Sequence, residues 1–133
     1  MILLIHIIST SIMVGVIWTI QLVHYPSFNF INQKDYIKFQ NFHMNQISLI
    51  VMPIMGIELF TGLIIIFLEI KNGLMFHFSI SILFLIWLIT GIIFSRLHQK
   101  LTMGYQPLII NKLIKMNWLR TFLWTFRLFL LII

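Results

Sequence analysis

The first 25 residues, MILLIHIISTSIMVGVIWTIQLVHY, contain no Lys, Arg, Asp or Glu. A helix of this length, at 1.5 Å per residue, exceeds the roughly 30 Å hydrocarbon core of a bilayer. The run therefore predicts a membrane-spanning helix. It lacks a basic start and a small-residue cleavage site, and its apolar core is longer than the roughly 7–15 residues of a signal peptide, so we expect it to be retained.

The rest of the chain is similarly apolar. Hydrophobic residues make up 60% of the sequence and charged residues 9%, whereas a typical soluble protein carries about 25% charge. This composition predicts an integral membrane protein whose first partner is the lipid bilayer. The chain has no cysteine, which excludes disulfides and cysteine-ligated iron–sulfur clusters within it.

Four apolar segments predict an all-α, up-down four-helix bundle forming a single transmembrane domain over residues 1–133. The predicted spans are residues 1–25, 44–70, 74–97 and 116–133, with an amphipathic loop at 26–42 and a basic loop at 98–115. We expect Pro26 to end the first span, because the residue before a proline disfavours helical geometry. Pro107 is a suitable first residue for the last helix. The short connection at 71–73 makes the second and third helices antiparallel neighbours.

Lysine and arginine are distributed unevenly among the connections. The first holds Lys34 and Lys38, the third Arg96, Lys100, Lys112 and Lys115, and the second only Lys71. The positive-inside rule then places the first and third connections in the cytoplasm and both termini outside, for which we expect a bacterial inner membrane. Because these charges flank spans rather than line a groove, they do not indicate nucleic-acid binding.

Two histidines are predicted to share one depth near the outer surface. His6 lies in the first span, and His77 lies in the third on a stripe with Ser81, Leu88 and Ser95. Helices one and three face each other across an up-down bundle, and facing imidazoles are typical haem ligands. His6 and His77 are thus candidate metal ligands of a haem b. The alternative is that each is hydrogen-bonded to Ser, Thr or a backbone carbonyl.

Three further histidines fall at the inner surface, each at the end of a different helix: His24, His43 and His98. His24 shares the stripe of His6, because eighteen residues at about 100° each return to the same direction. His24 with His98 or His43 is a candidate second haem site. The alternative is that they are ordinary interfacial histidines.

Glu58 and Arg127 both fall near the middle of the membrane, where an isolated charge is costly and a partner is expected. We expect them to pair with each other. As a catalytic pair they would relay protons or bind a quinone or porphyrin; the alternative is that the pair only fixes which helices are neighbours.

A polar stripe follows the last helix at helical spacing and is expected to face inward. Its members are Asn117, Arg120, Thr121, Trp124 and Arg127. Arg120 lies near the inner surface and is a candidate to hold a carboxylate, a phosphate or a haem propionate. The alternative for Arg120 is snorkelling to lipid head groups.

Several strings together resemble a family of small, uncharacterised bacterial four-helix membrane proteins over nearly the whole chain. They are GVIW at 15–18, HYP at 24–26, FH at 42–43 and NWLRT at 117–121, with Pro53, Met55, Glu58, Trp124 and Arg127. More distantly, the first helix begins with a histidine and passes through a Gly-aromatic stretch to a His-rich end. In this it is similar to the protoporphyrinogen oxidase of the HemJ type and to CopD-like copper-resistance proteins. That resemblance implies haem binding, with His6 as the ligand.

Two classes of function follow from the sequence. One is a b-type haem-binding membrane oxidoreductase that acts on a quinone or porphyrin. The other is a non-catalytic accessory or structural subunit of a membrane complex or transporter, whose partners are other membrane subunits or further copies of the chain.

Overall fold

The computed structural model describes residues 1–133 and contains helices but no strands. The helices are α1 (Ile2–Phe30), α2 (Tyr36–Phe67), α3 (Leu74–Leu101) and α4 (Pro107–Ile132). The all-helical, four-helix prediction is confirmed. By length and composition, α1, α2 and α3 are able to cross a membrane. The more polar α4 begins at Pro107, as predicted.

The first connection is much shorter than predicted. Helix α1 does not end before Pro26 but continues to Phe30, and α2 already begins at Tyr36, so most of the expected loop at 26–42 is helical. The physical reason lies in a π-helical segment at Ile20–His24, whose hydrogen bonds reach five residues back. This segment shifts the hydrogen-bond register immediately before the proline, and Tyr25 keeps a helical backbone with φ −67° and ψ −40°.

A second π-helical segment, Ile89–Phe94, interrupts α3. Each such turn holds one more residue than an α-helical turn, so it rotates the residues that follow by about 100° relative to a regular helix. Both segments lie in the half of the bundle that contains the connection between α1 and α2. The side chains of this half therefore do not follow the simple 3.6-residue period.

The helices pack in the order α2, α1, α4, α3. Helix α1 packs along both α2 and α4, and α4 packs along α3. Although a short connection joins α2 to α3, their backbones approach each other closely only near the Ser95–Leu101 end of α3. The side of the bundle between α2 and α3 is consequently the least closed.

Buried polar side chains alternate with apolar clusters along the interior. Apolar clusters form around Tyr25 and Phe28 at one end, Met13 and Trp124 in the middle, and Ile65 and Phe76 at the other end. The buried polar residues are His6, Ser9, Thr10, Gln21, Gln40, His43, Glu58, Ser79, Asn117, Arg120, Thr121 and Arg127. They fall into two clusters, one near each end of the bundle.

Candidate functional site

The first polar cluster joins α1, α2 and α4 through His6, Glu58 and Arg127, all of which are fully buried. Arg127 donates from Nη1 to Glu58 Oε1 at 3.0 Å and from Nη2 to His6 Nε2 at 2.8 Å. The structure thus brings together the two charged residues that the sequence places near the membrane centre. It adds His6 to them as a third member.

The hydrogen bonds of this first cluster fix the tautomer of His6. A guanidinium only donates, so His6 Nε2 is the acceptor and the ring proton is on Nδ1. Nδ1 donates to the Thr61 hydroxyl oxygen at 2.7 Å. The Thr61 hydroxyl in turn donates to the Ile57 carbonyl at 2.7 Å. Both ring nitrogens of His6 and the Thr61 hydroxyl are therefore hydrogen-bonded.

Gly62 makes room for this arrangement. A Cβ atom at this position would lie 2.8 Å from Ile80 Cδ1 and 3.1 Å from His6 Cε1. Contacts this short require one of the neighbours to move. Helix α2 therefore needs glycine here, because a side chain at this position would meet the side chains of His6 in α1 and Ile80 in α3.

His77 is not part of the first cluster. Its side chain is exposed, and its Nδ1 bonds the Gly73 carbonyl one turn earlier at 3.0 Å. The facing pair of His6 and His77 expected from the sequence is therefore not formed. These residues do not fit a haem held between them, because both ring nitrogens of His6 are engaged and His77 lies on the outer surface. The chain also contains no group of three His, Cys, Asp or Glu residues arranged to hold a metal ion.

The second polar cluster brings together the three inner histidines. His24 Nε2 and His43 Nδ1 form a hydrogen bond of 2.6 Å, and the ring centroids of His43 and His98 lie 5.1 Å apart. A macrocycle does not fit between His24 and His43, because the two imidazoles bond each other directly. Both ring nitrogens of His98 are also engaged. The predicted haem site at this layer is thus not supported by the arrangement.

Two residues that sequence reasoning did not select, Tyr25 and Gln40, hold His98 in place. Gln40 Nε2 donates to His98 Nδ1 at 3.1 Å and approaches the His98 carbonyl at 3.4 Å. His98 Nδ1 is then an acceptor, so the ring proton is on Nε2, which donates to the Tyr25 hydroxyl at 3.1 Å. Nothing in the sequence pattern marks Gln40. Tyr25 belongs to the HYP string noted above, but in a regular α-helix His24 rather than Tyr25 would face the interior.

A cavity of about 340 Å³ adjoins the second cluster and opens between α2 and α3. Its buried wall includes Tyr25, Phe94 and Arg120, and exposed residues such as Ser48 and Ser95 lie at its mouth. Most of its surface is apolar. Residues of both π-helical segments line it, and π-helical turns are frequent at functional sites.

Arg120 is the charged residue of this cavity. It is only 4% exposed, and its guanidinium carbon lies 4.3 Å from the centre of the Phe94 ring. The guanidinium is next to the Tyr25 hydroxyl, yet it has no carboxylate partner and its Nε has no hydrogen-bond acceptor. Snorkelling, the alternative for this residue, does not describe a side chain so deeply buried.

Comparison with known proteins identifies no relative. No family model, curated protein or solved structure matches this chain.

Proposed function

We propose that the protein is an integral membrane protein of a bacterial inner membrane, with four crossings and both termini outside. Three helices have the length and apolarity for a crossing. In α4, Arg120 and Arg127 are buried within the bundle while Phe122, Phe126 and Phe129 are exposed. A lipid-facing surface of this kind lets α4 cross with its charges shielded by the other helices.

We further propose that the protein binds a membrane-soluble ligand in the cavity between α2 and α3. The observation that carries this proposal is a buried, unpaired arginine at the wall of an apolar cavity that opens sideways. Ligand sites typically combine apolar walls with a few polar groups that orient the ligand. A ligand from the bilayer would enter between the helices and present its polar end to Tyr25 and Arg120.

Size favours a ligand with a small head group. The cavity, at about 340 Å³, lies at the lower end of the roughly 300–1,000 Å³ range of ligand pockets. A quinone head group is a single substituted ring with two carbonyl acceptors, whereas a porphyrin contains four linked pyrrole rings. Of the two substrate classes that the sequence predicts, only the quinone has a head group of this size.

We assign a structural role to the pair of Glu58 and Arg127. Both side chains are completely buried, so a ligand does not reach them without separation of the helices. Their bond links α2 to α4, and through His6 it links both to α1. These contacts support the alternative in which the pair of Glu58 and Arg127 determines which helices pack next to each other.

The test of ligand binding compares two tryptophan variants on the same helix. Ser95 lies at the mouth of the cavity, and Ser81 is exposed elsewhere on α3. Binding of decylubiquinone and of oleate to the detergent-purified protein is measured by calorimetry. Because an indole fills the mouth, we expect Ser95→Trp to weaken binding of the ligand by about tenfold or more, and Ser81→Trp to leave it unchanged.

Failure of the wild-type protein to bind either probe contradicts the proposal and leaves the accessory-subunit alternative. Equal weakening by the two variants also contradicts it. An absorbance spectrum of the same sample tests haem b independently: a Soret band that disappears in His6→Ala would contradict our finding that His6 is already fully engaged.

A further inference from the structure

We infer that the head group of the ligand carries an oxyanion, a carboxylate or a phosphate, which Arg120 binds. This inference rests on the proposed ligand site and adds the chemical class of the ligand. Its starting observation is a missing counter-charge beside a buried guanidinium.

The chain itself cannot supply that counter-charge. It contains only three acidic residues, Asp35, Glu58 and Glu69. Glu58 is bonded to Arg127 in the other polar cluster, while Asp35 and Glu69 are exposed. Arg120 is therefore a buried cation without a carboxylate. An unpaired buried charge is strongly unfavourable, and an anionic ligand removes this cost when it binds.

The geometry around Arg120 favours an oxyanion over a second aromatic group. The Phe94 ring already lies against the guanidinium carbon at 4.3 Å. A guanidinium presents parallel N–H groups that match the two oxygens of a carboxylate or phosphate. A neutral carbonyl accepts one of these hydrogen bonds but leaves the charge uncompensated.

The Tyr25 hydroxyl provides a second, oriented donor. Gln40 donates to His98, and the other nitrogen of His98 donates to the Tyr25 oxygen. Since this oxygen accepts a hydrogen bond, its own proton remains available to the ligand. Gln40 and His98 thus act as positioning residues that direct a donor toward the head group beside Arg120.

The experiment compares ligands that differ in the head group, three of which share one unsaturated hydrocarbon chain. Oleate and 1-oleoyl-lysophosphatidate carry the two oxyanions, while oleyl alcohol and decylubiquinone are neutral. Each is titrated by calorimetry into the full-length protein in a non-ionic detergent. We expect the wild type to bind at least one oxyanion about tenfold or more tightly than oleyl alcohol. The relative affinities of the two oxyanions distinguish a carboxylate from a phosphate head group.

Arg120→Gln is expected to abolish this preference, because it should weaken binding of the oxyanions far more than binding of oleyl alcohol. The matched control, Arg96→Gln, removes an exposed arginine of α3 and should keep the preference. Tyr25→Phe removes only the hydroxyl, and should reduce the preference severalfold even if Arg120→Gln fails to fold.

The outcomes separate this inference from the proposed function. If the wild type binds oleyl alcohol or decylubiquinone as tightly as either oxyanion, the site exists but the inference is overturned. If the preference persists in both Arg120→Gln and Tyr25→Phe, the inference is likewise overturned. If none of the four ligands binds to the wild type, the proposed function itself fails, and the inference fails with it.

Discussion

At the scale of single residues, Arg127 holds two buried side chains, those of Glu58 and His6. It donates to the Glu58 carboxylate and to His6 Nε2 at the same time. One side chain thereby ties three helices together in an interior where no other cation is bonded to a carboxylate. Because such a pair is buried, losing one member should be much more damaging than losing both.

Replacing one member of this pair tests that conclusion. We expect Glu58→Met or Arg127→Met alone to lower the free energy of unfolding by about 3–5 kcal/mol, because each leaves an unpaired buried charge. The double variant should lose far less free energy of unfolding than the two single variants lose together. Lys38→Met, which removes an exposed charge from the same helix as Glu58, should change stability by less than about 0.5 kcal/mol. Reversible unfolding in mixed micelles, followed by circular dichroism, measures the stability of all four variants. Additive losses in the double variant would show that Glu58 and Arg127 do not stabilise the protein as a pair.

Two glycines of α2 provide a second residue-scale test. Gly62→Ala places a methyl group 2.8 Å from Ile80 Cδ1 and 3.1 Å from His6 Cε1, and we expect a loss of about 1–3 kcal/mol from this overpacking. A Cβ atom at Gly56 meets nothing within 4 Å, so Gly56→Ala should be neutral or slightly stabilising. Adding Ile80→Val to Gly62→Ala should restore part of the loss. Equal thermal midpoints for the two alanine variants would show that Gly62 is not required.

At the scale of helices, regular geometry determined what was predictable from the sequence. Helix α4 has no π-helical segment, and all five members of its predicted inward stripe are buried. In α1 the stripe holds from His6 to Ile17. Beyond the π-helical segment it no longer holds, since Tyr25 is buried and His24 is only partly so.

Helix α3 shows a different limit of sequence reasoning. His77 and Ser81, one turn apart in the regular part of α3, are exposed, and so is Ser95 beyond the π-helical segment. Periodicity groups residues without telling which group faces inward. Here apolar side chains such as Phe76 and Leu83 occupy the interior, and the three polar residues bond carbonyls of their own helix.

The π-helical segment of α3 yields a prediction at this scale. Because the segment holds one extra residue, deleting the exposed Ile92 from it should give a regular helix and keep Phe94 and Leu97 facing inward. We therefore expect this variant to fold, with a modest loss of stability. Deleting Leu85, also exposed but in the regular part of α3, should rotate every later residue by about 100° and prevent folding. Size-exclusion profiles and thermal midpoints show whether each deletion variant folds. If the two deletions behave equally, the π-helical segment does not hold an extra residue that can be removed.

At the scale of the whole molecule, the open side of the bundle follows from the packing order. Helices α1 and α4 each pack against two neighbours, while α2 and α3 are at the ends of the series. The cavity forms at that open side. The same order explains why Arg120 of α4 and Tyr25 of α1 form its inner wall, since these two helices are the ones packed at the centre.

The proposed topology requires that α2 and α3 cross the membrane in opposite directions. Residues 71–73 then lie outside, and the connections at 31–35 and 102–106 lie in the cytoplasm, where flanking residues Lys38, Lys100 and Lys112 are favoured. The chain contains no cysteine, so a single introduced cysteine reports one position without background. Asn32, Asn72 and Met103 are exposed residues of the three connections.

We expect Asn72→Cys to react with a membrane-impermeant maleimide in intact spheroplasts, and Asn32→Cys and Met103→Cys to react only after lysis. The wild-type chain supplies the unlabelled control, and the lysed samples show that every thiol is reactive. The reverse pattern would invert the orientation while keeping the crossings. Labelling of all three positions in intact spheroplasts would contradict the crossings of α2 and α3, and with them the entry of a ligand from the bilayer.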